Sequence, residues 1–270
     1  MKKWKILALL IGVVFISGCT TTTSGNGPSM TVSLSDSTVE PGTQAQLTVQ
    51  VQNNGGATAT GVHADLNGLT QDWGISPGTS LGIQDLEAAD PSHNFPGGAD
   101  SVSWTLTAPG LNTQISYPFS VRLNFNYETT NNAIVRIANS QYAQTNKLQT
   151  GLISSTQTGG PVTITVRAPN AVFGGSTIPI YFDFNNAGSG VVVGNMLNVF
   201  VSAPGAGLSC PKNGVSLIPD SNGVGRNGIL RCTVSTAGVS SWSQFTVNVK
   251  ADYSYYMEQF NSVTVLAKTS

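Results

Sequence analysis

The sequence predicts an all-β protein built as two tandem β-sandwiches behind an N-terminal leader. Three observations predict it. Apolar and polar residues alternate in short runs, Gly, Pro and Asn clusters separate the runs, and one order of runs and turns occurs twice in 270 residues. Alternation with period two is the spacing of a half-buried strand. A chain of this length holds about two domains of ordinary size. Its 40% hydrophobic content supplies enough apolar side chain for a core.

The chain opens with Lys2, Lys3 and Lys5, followed by an apolar run from Ile6 to Ile16 and then Ser17, Gly18 and Cys19. A charged start, a short apolar run and small residues describe a secretory leader over residues 1–18. The run is about half the ~20 residues of a membrane-spanning helix. Residues Ile16-Ser17-Gly18-Cys19 resemble the lipobox of bacterial lipoproteins. The resemblance implies cleavage before Cys19 and a lipid thioether on its sulfur, which makes a membrane the first expected partner. An uncleaved anchor and ordinary secretion are the competing readings. Residues 19–28 read as a flexible tether, because the stretch TTTTSGNGPS from Thr20 cannot bury a core.

The repeated units follow, at 29–140 and 160–270. Pro41-Gly42 precedes the alternating Leu47, Val49 and Val51, which end in Asn53-Asn54-Gly55-Gly56. Gly174-Gly175 precedes Ile180, Phe182 and Phe184, which end in Asn185-Asn186-Ala187-Gly188. Strands at Val62–Leu66 and Leu197–Val201 come next. Each unit then carries a long alternating run, Phe119 to Tyr127 and, 126 residues later, Phe245 to Tyr253. Each run is expected to turn back through a polar segment into Ala133–Ile137 or Val263–Ala267, so that each unit closes with an antiparallel hairpin. Residues 141–159, rich in Gln, Thr, Ser and Gly, read as the linker. Short strands between Gly, Pro and Asn turns in units of ~110 residues suit immunoglobulin-like sandwiches.

The stretch VEPGTQAQLTVQVQNNGGATATGVHADL (39–66) resembles the opening of CARDB-type domains, the cell-adhesion-related modules of bacterial and archaeal envelope proteins. Residues 173–194 are similar, with Gly-Gly in place of Pro-Gly. The resemblance spans about a quarter of each unit. It implies an immunoglobulin-like module used for adhesion, spacing or display, and it carries no catalytic residue.

Cys210 and Cys232 are expected to form a disulfide, the default in an oxidising exterior. Comparison of the two units places Trp73 near Cys210 and Trp104 near Cys232, so a packed pair of indoles is expected to do in the first unit what the disulfide does in the second.

Charge narrows the partners. Only 9% of residues are charged and the net charge is −1, against ~25% charged in an ordinary soluble protein. That excludes the electrostatic footprint of a nucleic-acid binder. The first unit carries nine acids and two bases, the second four acids and six bases. Asp85, Glu87 and Asp90 share a loop and form a weak calcium candidate, with a solvated acidic loop as the plainer reading. His63 is expected to face solvent on its strand, and His93 to lie in a loop. No serine sits in a nucleophile-elbow motif, so neither an enzyme nor a cofactor is expected. Tyr253 and Tyr255 fall on the core face of their run. Tyr256 and Met257 are expected at an exposed hairpin tip, where they could stack on sugar rings or anchor a protein. The sequence therefore points to an exported, lipid-anchored envelope protein with a non-catalytic adhesion, scaffolding or binding role. Its partners would be envelope proteins or glycans. A carbohydrate-binding accessory module and a structural subunit of a filament or surface layer are the alternatives.

Overall fold

The computed structural model describes residues 27–173, 177–211, 214–237 and 239–268. The leader, Cys19, residues 20–26 and the Gly174-Gly175 turn lie outside the described residues. The first unit supplies β1 (Pro28–Leu34), β2 (Thr38–Val39), β3 (Gln44–Asn53), β4 (Thr60–Asn67), β5 (Gly74–Ser76), β6 (Ser80–Gly82), β7 (Ala99–Thr107) and β8 (Ile115–Asn139). Helix α1 (Ser140–Asn146) and β9 (Gly151–Gln157) follow. The second unit supplies β10 (Val162–Arg167), β11 (Ala171–Phe173), β12 (Thr177–Asn186), β13 (Val191–Val192) and β14 (Met196–Ser202). It continues with β15 (Gly207–Ser209), β16 (Val215–Ser216), β17 (Ile218–Pro219), β18 (Gly225–Ser235) and β19 (Trp242–Val265). The protein is all-β, as its alternation predicts.

The strands form three sheets. A four-stranded sheet has the order β1-β3-β7-β5, and its counterpart in the second unit has the order β10-β12-β18-β15 with β17 also on β18. The third, ten-stranded sheet runs through both units in the order β16-β14-β19-β8-β4-β6. Inward residues of the smaller sheets, such as Leu47, Trp104, Phe182 and Val234, are buried. So are those of the large sheet, such as Ala64, Leu123, Val199 and Val249, and all belong to one core.

The large sheet overturns one expectation. Neither unit closes with a hairpin. Strand β8 runs straight through Glu128–Asn132, β19 runs straight through Ser254–Glu258, and the two pair antiparallel from Ile115↔Val265 to Ala138↔Trp242. The first half of β8 lies beside β4, but its second half lies beside β9 and β11. The first half of β19 lies beside β14, and its second half ends beside β2. The two units have exchanged their last strands, each completing the other's sheet.

Local chemistry explains the missing turns. Tight hairpin loops need residues that accept positive φ, commonly Gly or Asn-Gly, and neither Glu128–Asn132 nor Ser254–Glu258 contains glycine. Thr129, Thr130, Tyr255 and Tyr256 favour extended backbone. The polar look of Glu128–Asn132 misleads, because Thr129 and Asn131 are buried. Thr129 Oγ1 lies 2.9 Å from the Tyr253 hydroxyl, and Asn131 Nδ2 donates to Ile164 O at 2.8 Å.

Residues 141–159 are also more ordered than a linker. Asn139 Oδ1 accepts from Gln141 N to cap α1, and Lys147 ends it in the left-handed region at φ 50°. Strand β9 then pairs with β8 from Arg136↔Gly151 to Asn131↔Gln157.

Candidate functional site

The middle of the paired β8–β19 ribbon, around Tyr127↔Tyr253, lies where the two units meet, and its two faces differ. Inside, Phe125, Tyr127, Tyr253 and Tyr255 form a closed ring of aromatic contacts with centroids 5.5–6.2 Å apart. Such edge-on and tilted pairs add to burial through their quadrupoles. Burial pushes the Tyr255 phenol up to about 12 and raises those of Tyr253 and Tyr127 as well.

These tyrosines hold matching loops. Tyr255 Oη accepts from Gly190 N at 2.8 Å and donates to Asn186 Oδ1 at 3.0 Å. Tyr127 Oη accepts from Ala57 N at 3.2 Å, with Asn53 Oδ1 at 3.5 Å. Asn53 Nδ2 reaches the carbonyls of Ala57, Leu86 and Glu87, while Asn186 Nδ2 reaches those of Gly190 and Gly225. Tyr127 is therefore the counterpart of Tyr255, two residues beyond the Tyr253 that the sequence alignment pairs with it. The even offset keeps the same face, so the strand pattern is unchanged. Gly190 sits against the Tyr255 ring and the Tyr256 carbonyl, leaving no room for a Cβ.

The other face carries a shallow cleft of about 520 Å³, lined by Thr60, Asn126, Glu128, Asn198, Asp252 and Ser254 among others. Ser254 Oγ donates to Asn126 Oδ1 at 2.7 Å. Lys250 bridges Glu128 and Asp252, and its hydrogen bond to Glu128 is the larger cause holding its ammonium above the ordinary lysine range. Hydroxyls, amides and the carboxylates of Glu128 and Asp252 line this cleft together with Ala57, Tyr127 and Tyr253. It can hydrogen-bond a polar ligand.

Tyr256 and Met257, expected at a hairpin tip, lie in mid-strand because the tip does not exist. Tyr256 is half-buried, with the Arg122 guanidinium 4.4 Å over its ring. Met257 is opposite Leu123 and packs on the core, so the two residues do not form one exposed patch.

Asp85, Glu87 and Asp90 are not gathered. Asp85 Oδ1 accepts from Gly61 N, while Asp90 turns to Ser92 and His93. Among the described residues no group of three His, Cys, Asp or Glu side chains could hold a metal. Hydrogen bonds from Ser92 first, then His93, lower the Asp90 pKa. Ser92, His93 and Asp90 do meet, but Ser92 Oγ and Asp90 Oδ2 both contact His93 Nδ1. A hydrolytic relay needs serine on one ring nitrogen and carboxylate on the other. His63 is half-exposed on β4, with Nδ1 3.1 Å from Gly61 O.

Cys210 and Cys232 form the expected disulfide. Trp104 stands where Cys232 stands, since Leu47↔Trp104 matches Ile180↔Cys232 in the paired sheets. Its partner is not Trp73, which meets Tyr117 edge-on at 5.5 Å. Trp104 Nε1 instead donates to Gly78 O at 2.6 Å, just beyond β5, as Cys210 lies just beyond β15. One indole hydrogen bond thus ties the segment that the disulfide ties in the second unit.

No protein-family model matches the chain, and no curated protein matches it. Among solved structures, the envelope protein VP37 from White Spot Syndrome Virus is 7% identical, with 48% of this chain and 98% of that one covered at a TM-score of 0.22. The C-terminal domain of the Streptococcus agalactiae AgI/II polypeptide BspA is 9% identical over 88% and 97% of the chains, TM-score 0.17. The collagen adhesin CNA from S. aureus is 8% identical over 90% and 92%, TM-score 0.14.

Proposed function

We propose that this chain is an exported envelope protein, anchored through lipid on Cys19, that acts without catalysis as a surface spacer and binding scaffold. The observation that carries the reading is the β8–β19 ribbon. At ~3.3 Å per residue, its paired length reaches about 80 Å, and it joins both units into one sheet. A hinged pair of domains would bend between its units, whereas this sheet spans them and holds a surface at a fixed reach. The Cys210–Cys232 disulfide suits an oxidising exterior. The cleft over the middle of the ribbon is the surface offered to an envelope glycan or protein.

Intact mass of the native protein before and after thiol reduction tests the reading. The expected result is a chain beginning at Cys19 with added lipid that gains two hydrogens on reduction. An unlipidated chain retaining Met1 would overturn the anchored assignment.

A further inference from the structure

The two halves of the large sheet match except along one edge. With Tyr255 as the counterpart of Tyr127, Glu258–Val263 of β19 correspond to residues 130–135 of β8. That stretch of β8 is covered by β9 and Thr158. On β19 the same side carries β13 at Tyr255 and Tyr256 and β2 at Thr264 and Val265. Among the described residues nothing pairs with Glu258–Val263 there, which leaves a notch about 20 Å long at ~3.3 Å per residue.

Backbone geometry says which groups the notch presents. A strand residue turns its N–H and C=O to one side, and the next residue turns them to the other. Thr264 N donates to Ser37 O beside β2, so Ser262, Phe260 and Glu258 turn theirs into the notch. In the second unit the equivalent Thr130 uses both groups, its N–H on Thr158 Oγ1 and its carbonyl on Thr158 N. The side chains differ in the same sense. Ile164 and Val166 of β10 are buried beside β9, while their counterparts Met30 and Val32 of β1 are half-exposed. Asn261 Nδ2 is buried with no hydrogen-bond partner among the described residues, and Phe260 is 76% exposed. Proteins commonly blunt an open edge with lysine, proline or a bulge. Residues 258–263 read EQFNSV, and their single charge, Glu258, is held by Ser120 and Arg122.

We propose that this notch is a strand-acceptor site for a partner protein, and that its occupant is a short, uncharged, extended segment rich in serine, threonine and glutamine. The internal repeat states the chemistry, because β9, with the sequence GLISSTQ, fills the equivalent place in the second unit. Ser155 of β9 donates to Asn131 Oδ1 at 2.8 Å, and Gln157 Oε1 accepts from Ile164 N at 2.6 Å, so β9 ties the large sheet to the small one. A segment of that kind in the notch exchanges main-chain hydrogen bonds with Glu258, Phe260 and Ser262, while its alternate side chains set specificity. It covers Met30 and Val32 and brings polar side chains to the buried amide of Asn261. The edge offers no free charge to pair with one on the occupant, and burying an unpaired charge is costly. The ends of the notch set the length. Val191 stands beside Tyr256 and Thr38 beside Thr264, so a strand that continues straight, such as β19 of a second copy, does not fit.

The peptide TGLISSTQT, residues 150–158 of this chain, is the probe, and residue-resolved hydrogen exchange on the full chain is the readout. In the protein alone, the amides of Glu258, Phe260 and Ser262 are expected to exchange as free edge amides. Millimolar peptide should slow them at least about ten-fold and leave those of β3 and β12 unchanged. A peptide carrying Ser154→Pro and Thr156→Pro lacks two of the N–H groups that face the edge, and it should have no effect. In the protein, Phe260→Pro removes an N–H that the pairing with β8 does not use, so the sheet should remain and the slowing should be lost. Edge amides that the native peptide leaves unchanged, or slowing that survives both proline substitutions, would overturn the proposal. Edge amides already slow in the protein alone at every dilution would show the notch filled from within the molecule, and overturn it. Slowness without peptide that disappears on dilution would assign the edge to a second copy and equally overturn it.

Discussion

Replacing Tyr255 by phenylalanine removes one oxygen from the centre of the protein and leaves its shape intact. The hydroxyl accepts from Gly190 N at 2.8 Å and donates to Asn186 Oδ1 at 3.0 Å, and the ring is almost fully buried. The lost bond to Asn186 costs about 1 kcal/mol net, and the Gly190 donor left buried without a partner costs about 1–3 kcal/mol. The Gly190 N–H has no room to turn to water, because its backbone lies against the Tyr255 ring and the Tyr256 carbonyl. The sum is a loss of about 2–4 kcal/mol. At ~3 °C per kcal/mol for a chain of this size, the expected fall in Tm is about 10 °C. Calorimetry reads the shift, and urea titration should show a lower midpoint at unchanged slope. Ser254→Ala, which removes an exposed hydrogen bond to Asn126 on the opposite face, should cost no more than about 0.5 kcal/mol. A Tyr255→Phe loss below about 1 kcal/mol would refute the reasoning, since the hydroxyl would then not be what holds the Asn186–Gly190 loop.

Three other outcomes are expected. Reducing the Cys210–Cys232 bond, which closes a loop of 22 residues, should lower stability by about 3 kcal/mol, read as a drop in the urea midpoint with reductant. Trp104→Ala should cost about 3–5 kcal/mol by emptying a fully buried site; Trp104→Phe should cost less but leave Gly78 O without its donor, a difference equilibrium unfolding resolves. Alkaline titration should unfold the protein. The folded pKa of Tyr255 is raised to about 12 from an ordinary 10.0, so its contribution is complete below pH 10 and is lost as pH rises toward 12. Far-UV dichroism measured rapidly between pH 9 and 12 checks this, and Tyr255→Phe should flatten that part of the profile.

Much of the fold was legible locally. The runs at Leu47–Val51, Val62–Leu66, Ile180–Phe184 and Leu197–Val201 all lie inside strands, because Gly and Asn turns bound them and their alternation has one buried phase. The long runs misled because alternation continues across Glu128–Asn132, and period two does not distinguish one long strand from a hairpin. What decides is whether a turn can form and which partner lies alongside. The first could be read from the absence of glycine, but the second is a pairing between residues more than a hundred positions apart. The disulfide was legible from compartment chemistry. Trp104 was legible as a counterpart of Cys232, but its true partner, a backbone carbonyl at Gly78, leaves no signature in side-chain identity. The cleft was hidden for the same reason, since its residues meet only where the two long strands pair at mid-length.

The exchange of last strands also fixes the order in which this protein can be finished. Residues 253–265 are made after everything else in the two units, yet they complete the sheet of the unit made first. A chain released up to residue 140 has lost the strand that covers Phe119–Tyr127. The strand it does possess, beyond Tyr127, is aligned for a partner not yet present. The sheet of the first half therefore closes only once β19 is present. A protease acting before β19 is in place meets the first half with its sheet still open.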